Sequence, residues 1–191
     1  TTPVRRKLLH WSFVAGFFFV LSIVQTWPLV LHLSDQAMLW APDGYQHMWN
    51  LWWFKHRVLS LENPFRTDML FYPQGSDLYM HTLTPVNGLF TTPLQLVTGN
   101  LVLASGVTSL AFFTASAVGA YALAYRISRD AWASLIGGLI FAFSPFVMTH
   151  INGHLNISTT WPIPFFALSV IAFHESRRLR HAAIAGVLLS V

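Results

Sequence analysis

The sequence predicts an all-α membrane protein with about four transmembrane helices, the start of a fifth, and interfacial helices in a long first outer loop. Of its 191 residues, 54% are apolar and 9% are charged, and the mean hydropathy is +0.51. So few charged side chains cannot cover the surface of a soluble protein of this length. The chain contains no cysteine, which excludes disulfide bonds, thiolate nucleophiles and cysteine-bound metals within it.

Four apolar runs are long enough to cross a hydrocarbon core about 30 Å thick, because a helix rises about 1.5 Å per residue. In the third run, Gly137 and Gly138 predict close helix contact and Pro145 predicts a kink near the far end. A fifth run, 182–191, is too short to span, so we expect the chain to be part of a longer protein. The predicted spans are residues 8–31, 100–125, 131–149 and 158–174.

Clusters of basic residues predict the orientation of these spans. Most of the eleven Lys and Arg lie at the N-terminus, near 126–130 and near 175–181. The positive-inside rule then makes the N-terminus cytoplasmic and exposes residues 32–99 and 150–157 on the outer face. No basic stripe with interleaved aromatic residues is present, so we expect no nucleic-acid partner.

The predicted outer loop, 32–99, is long enough to contain folded elements of its own. Residues 44–59 predict an interfacial helix, with Tyr45 and Leu59 on its apolar face and Asn50 and Arg57 on a narrow polar stripe. The Pro, Gly and Asn content of 63–88 predicts an irregular loop. A second short apolar stretch, 89–97, is predicted to be interfacial or re-entrant.

Two polar clusters are predicted to meet on the outer side of the membrane, one at 42–47 and the other at 150–156. Asp43 in the first cluster has two interpretations that are compatible in one residue. It can cap the following helix, with Gln46 completing an arrangement like a capping box. It can also act as a catalytic base or metal ligand, because ionisable residues at a membrane are few and often functional.

The histidines also have more than one interpretation. His150 and His154 have the i, i+4 spacing of a metal-binding pair, but no Glu follows His150 and no third ligand is evident. The simpler interpretation is a polar turn whose side chains satisfy backbone groups or bind a polar ligand. His81 can join this turn from the long loop. Binding of a tetrapyrrole is disfavoured because most histidines fall near predicted helix ends.

A set of motifs resembles the N-terminal part of large bacterial GT-C-type polytopic membrane glycosyltransferases, and the similarity covers most of the chain. Members of that superfamily carry an acidic residue in the first outer loop beside interfacial helices. The motifs are Asp43-Gly44-Tyr45-Gln46-His47-Met48-Trp49-Asn50-Leu51-Trp52-Trp53, Tyr72-Pro73-Gln74-Gly75, His81-Thr82, Phe141-Ala142-Phe143-Ser144-Pro145 and Gly153-His154-Leu155-Asn156.

The resemblance implies a transferase of the bacterial cytoplasmic membrane that moves a sugar from a polyprenyl-phosphate donor to an acceptor on the outer face. Asp43 would be the catalytic base, and it is also the candidate ligand for a divalent cation such as Mg or Mn. The expected partners are membrane lipid and the polyprenyl-phosphate-linked sugar. The residues expected to bind substrate are His47, Arg57, His81, His154 and Asn156.

The competing hypothesis is a non-catalytic membrane subunit or scaffold of a larger complex. In that case the aromatic outer loop contacts a neighbouring protein, a lipid or a pigment. A chain that includes only about four spans keeps this alternative open, because later helices complete the acceptor site in the glycosyltransferases that the motifs resemble.

Overall fold

A computed structural model describes residues 3–37, 42–151 and 153–190. Within the predicted outer segments, residues 38–41 and Asn152 lie outside the described part, as does Val191 of the fifth run. The elements are α1 (Pro3–Gln25), a 3-10 helix (Leu29–Leu31), α2 (Pro42–Leu59), β1 (Arg66–Thr67), β2 (Ser76–Asp77), α3 (Pro85–Thr98), α4 (Leu101–Ser128), α5 (Ala131–Ala142), α6 (Pro145–His150), α7 (Leu155–Ser158), α8 (Pro162–Ser176) and α9 (Leu179–Leu189).

The predicted fold class, an all-α membrane protein, is confirmed. Helices dominate the described residues, and four helical segments are long and apolar enough to cross a membrane. Shorter than these is the apolar helix α9 near the end of the chain. The four segments are Pro3–Gln25, Leu101–Ser128, Ala131–His150 and Asn156–Ser176.

The third apolar segment contains a break where the sequence predicts a kink. Helix α5 ends at Ala142, and the N–H of Phe143 makes its last bond, 3.0 Å long, to the Leu139 carbonyl. Helix α6 then begins at Pro145. Proline has no N–H to continue the helical ladder, and it disfavours helical geometry at the residue before it. The proline therefore starts a new helix.

The described chain divides into two compact units. One comprises Thr1–Pro28, Leu110–Met148 and Thr159–Val191, and its core includes Phe18 and Tyr121. A β-carbon added at Gly138 would lie 2.5 Å from the Phe18 ring and 2.9 Å from the Ala117 carbonyl oxygen. This confirms the predicted close helix contact at Gly138, since only glycine fits such an approach without displacing a neighbour.

The other unit comprises Leu29–Ser109 and Thr149–Ser158, and α2 packs on α3 within it. Burial along α2 does not follow its apolar and polar faces: Tyr45 is 69% exposed, whereas Asn50 is 1% exposed. Asn50 is buried because the loop before α3 supplies its hydrogen-bond partners, the Thr82 carbonyl at 2.9 Å and His81 Nε2 at 3.0 Å.

The predicted irregular loop, 63–88, contains a short antiparallel ladder in which Arg66 pairs with Asp77. The ladder closes beside a small core of Trp53, Leu78 and Leu83. The buried Trp53 indole N–H donates to the Pro64 carbonyl at 3.0 Å. This packing attaches the loop to the C-terminal half of α2, and the apolar stretch that follows it forms most of α3.

Candidate functional site

Helix α2 carries Asp43, His47 and Asn50 along one side, because positions i, i+4 and i+7 of a helix lie above one another. Asp43 lies in the first turn, one residue after Pro42 at the start of the helix. A carboxylate there is stabilised by the positive end of the helix dipole. Asp43 therefore occupies a position inside the helix and not the N-cap, and the Gln46 amide donates to the Thr82 hydroxyl at 2.6 Å.

Asp43 faces a histidine from the second polar cluster. Nε2 of His154 lies 3.4 Å from Oδ2 of Asp43, with the two side chains 41% and 57% exposed, respectively. His154 is held in its turn by a backbone bond of 2.9 Å from its N–H to the His150 carbonyl. The rings of His150 and His154 also meet edge to face, 5.4 Å apart. The two polar clusters predicted to meet are thus in contact.

His47, one helical turn after Asp43 in α2, is 4% exposed. Its Nδ1 has no hydrogen-bond partner among the described residues. Burial lowers the pKa of the His47 ring below its ordinary value of 6.5; the neighbouring Asp43 carboxylate partly opposes this, and His154 and His81 add to it. The ring is consequently neutral at neutral pH, with one N–H and one lone pair.

Asn50 connects the helix to His81. Its amide N–H donates to the Thr82 carbonyl at 2.9 Å, and its Oδ1 lies 3.0 Å from His81 Nε2. Because the Asn50 oxygen is an acceptor in this arrangement, the His81 Nε2 carries the hydrogen. The sequence analysis gave Asn50 no role of its own, and its place on the polar stripe of α2 was the signal available.

A cleft of about 420 Å³ opens beside these side chains, within the same unit. Gly44 and Gly153, the neighbours of Asp43 and His154 in sequence, contribute to its wall. The described lining consists of glycines and of residues with apolar or uncharged polar side chains. The lining residues are Leu29, Ala37, Gly44, His47, Met48, Ser105, Gly106, Ser109, Ile151 and Gly153.

Arg57, also predicted to bind substrate, lies apart from the cluster of Asp43, His47, His81 and His154. Arg57 is 14 residues after Asp43, or about 20 Å along the axis of α2. Its guanidinium pairs with Glu62 and lies 4.9 Å from the centre of the Trp53 ring. Asn156 is in α7 with an exposed side chain.

The described residues do not fit the divalent cation that the resemblance implies. Within 3–37, 42–151 and 153–190, no group of three or more His, Asp or Glu side chains is arranged to hold a metal ion. Mg and Mn prefer several oxygen ligands, whereas Asp43 supplies the one carboxylate of the cluster and faces His154. The reaction considered for this site therefore uses only the side chains of the protein.

The fold and the site define a helical membrane protein with a carboxylate and three histidines gathered beside a cleft. The chain belongs to the family described as Domain of unknown function (DUF6311), whose model matches residues 13–191. No curated protein and no solved structure matches the chain.

Proposed function

We propose that the chain is the catalytic part of a membrane glycosyltransferase that moves a sugar from a polyprenyl-phosphate donor to a hydroxyl acceptor. The observation that carries the proposal is the pairing of Asp43 with His154 beside a cleft. A partly exposed carboxylate with an imidazole 3.4 Å away is a candidate general base by geometry. The motifs that resemble the GT-C glycosyltransferases include both of these residues.

In the proposed reaction, one oxygen of the Asp43 carboxylate accepts the proton of the acceptor hydroxyl. The hydroxyl oxygen then forms a bond to the anomeric carbon, while the bond from that carbon to the phosphate oxygen breaks and polyprenyl phosphate leaves. In this reaction, Nε2 of His154, which lies 3.4 Å from Oδ2 of Asp43, would donate to that oxygen, orient the carboxylate and leave Oδ1 for the acceptor.

The membrane character of the chain also supports this donor class. A polyprenyl chain resides in the hydrocarbon core, and four helices of this protein are long and apolar enough to span that core. The basic clusters favour an arrangement in a bacterial cytoplasmic membrane with the N-terminus in the cytoplasm. Transfer would then take place on the outer face, where 32–99 and 150–157 are expected.

The test is a transfer assay with the purified complete protein. It would be incubated with a panel of polyprenyl-phosphate-linked sugars in lipid, and the release of polyprenyl phosphate would be measured. Asp43→Asn should lower the rate by about 10²-fold or more, as for the loss of a general base. The matched control is Asp68→Asn, since Asp68 is an exposed carboxylate in the same unit. Equal rates for the two variants would contradict the role given to Asp43.

A second candidate is a non-catalytic membrane subunit, and one observation favours it. The turn between the two short strands exposes large apolar side chains, with Phe71 at 79% and Tyr72 at 83%, and the nearby Met80 is fully exposed at 100%. Such a surface suits a protein partner or a lipid surface. A stoichiometric complex that purifies from the native membrane, together with no transfer from any donor of the panel, would favour this candidate.

A further inference from the structure

We propose that the cleft beside Asp43 binds an uncharged, hydroxyl-bearing group and excludes phosphate. The inference rests on the proposed function and deepens it, because it assigns the cleft to the sugar or alcohol of the reaction. The donor phosphate would lie elsewhere. Three features of the cleft support this assignment: its walls, its charge and the state of His47.

The walls of the cleft carry groups that suit a small polar ligand. The space between them, about 420 Å³, includes a part that is open to solvent. Gly44, Gly106 and Gly153 contribute no side chains to the space, while the hydroxyls of Ser105 and Ser109 belong to residues of the lining. Hydroxyl groups and an imidazole are hydrogen-bonding partners that suit a polyol.

The charge of the cleft disfavours an anion. In the described part of its wall there is no Lys or Arg, and Arg57 is paired at the other end of α2. A helix N-terminus by itself attracts anions. At α2, however, the carboxylate of Asp43 already occupies the first turn. A phosphate in the cleft would therefore meet a like charge with no basic side chain beside it.

His47 gives the cleft a neutral donor and acceptor. The ring is more than nine-tenths buried, it belongs to the lining, and its Nδ1 lacks a partner among the described residues. A buried polar nitrogen without a partner is unfavourable, so a ligand that supplies one is favoured. A hydroxyl can donate to the lone pair of a neutral imidazole or accept from its N–H, whereas a phosphate dianion can only accept.

The absence of cysteine from the chain allows a direct test. Ser105→Cys would be introduced into the complete protein, after replacement of any cysteine elsewhere, and modified with a small neutral thiol reagent. The probes are the methyl glycosides of glucose, galactose, mannose and N-acetylglucosamine, and inorganic phosphate. At twice its dissociation constant, a sugar that binds should slow modification about threefold. Phosphate should leave the rate unchanged.

Ser60→Cys is the matched control, because Ser60 is exposed after the end of α2 and is not in the cleft lining. Its modification should respond to none of the probes. If Ser105→Cys does not accumulate, Ala37→Cys reports on the same cleft.

Protection by phosphate, or protection by none of the sugars, would overturn the inference. Its failure is distinguishable from failure of the proposed function. Transfer activity without protection by any sugar would reject only the assignment of the cleft. Protection by a sugar in a protein without transfer activity would keep the binding site and reject catalysis.

Discussion

The carboxylate of Asp43 lies 3.4 Å from Nε2 of His154, joining the first turn of α2 to the turn between α6 and α7. These residues are far apart in sequence, and each belongs to one of the two polar clusters that interrupt the apolar runs. In the proposed function this contact orients the carboxylate. The consequences for catalysis, stability and pH dependence can each be measured.

His154 is a positioning residue for Asp43 in this account. His154→Ala should lower kcat for transfer by about tenfold, the equivalent of one hydrogen bond to a charged group, and leave KM nearly unchanged. His154→Gln should retain most of the rate, because an amide N–H can still donate to Asp43. Steady-state kinetics on the two variants make the comparison. A loss of equal size in both would mean that the imidazole itself takes part in the reaction.

Arg57 should not contribute to transfer. It pairs with Glu62 and stacks on Trp53 at the end of α2 remote from Asp43. Arg57→Ala should therefore leave kcat and KM unchanged, although it removes packing on Trp53 and lowers the thermal stability slightly. A large loss of kcat in a variant that remains folded would instead support the hypothesis, made from the sequence, that Arg57 binds the donor phosphate.

Gly88 should be required for the packing of α3 on α2. A β-carbon added there would lie 2.4 Å from the Phe54 ring. Gly88→Ala should lower the free energy of unfolding by about 1 to 3 kcal/mol, the usual cost of overpacking. Gly16→Ala is the control, since nothing lies within 4 Å of the added carbon. Thermal unfolding in detergent checks both, and Phe54→Leu should restore part of the stability of Gly88→Ala.

The lowered pKa of His47 predicts a loss of stability in acid. Its contribution is fully present above the ordinary value of 6.5, because the ring is neutral there in both states. As the pH falls below that value, the unfolded chain takes up a proton that the buried ring resists, and the free energy of unfolding decreases. Below the lowered folded pKa the decrease stops.

Unfolding of the wild type and His47→Gln, compared between pH 7.5 and 5, measures this effect. The limiting slope for one group is about 1.4 kcal/mol per pH unit. His47→Gln should lose less stability on acidification than the wild type does. An identical loss in both would assign the acid sensitivity to other groups, of which Asp43, His81 and His154 face the ring.

The fold class was predictable because the physics of the bilayer leaves a strong signal in the sequence. Long apolar runs between basic clusters are sufficient to predict spanning helices. The break after Ala142 was harder to predict from the sequence, because Pro145 permits either a kink or the start of a new helix. The packing of neighbouring elements decides between these outcomes.

The candidate site was predictable in composition but not in arrangement. The sequence marks Asp43, His47, His81 and His154 as unusual polar residues of the predicted outer segments. Hydropathy sorts the residues of α2 into faces, but it reads each helix alone and does not say which face is buried. The partners that bury Asn50, Thr82 and His81, belong to the loop before α3, and only the three-dimensional structure relates the two elements.

The anomeric configuration of the transfer product tests the central claim most directly. If Asp43 activates the acceptor hydroxyl for a single displacement at the anomeric carbon, the product must have the configuration opposite to that of the donor. The measurement is an NMR spectrum of the product formed by the complete protein from a donor of known configuration. An inverted product is the predicted result. A product with retained configuration, or no product from any donor of the panel, would contradict the account.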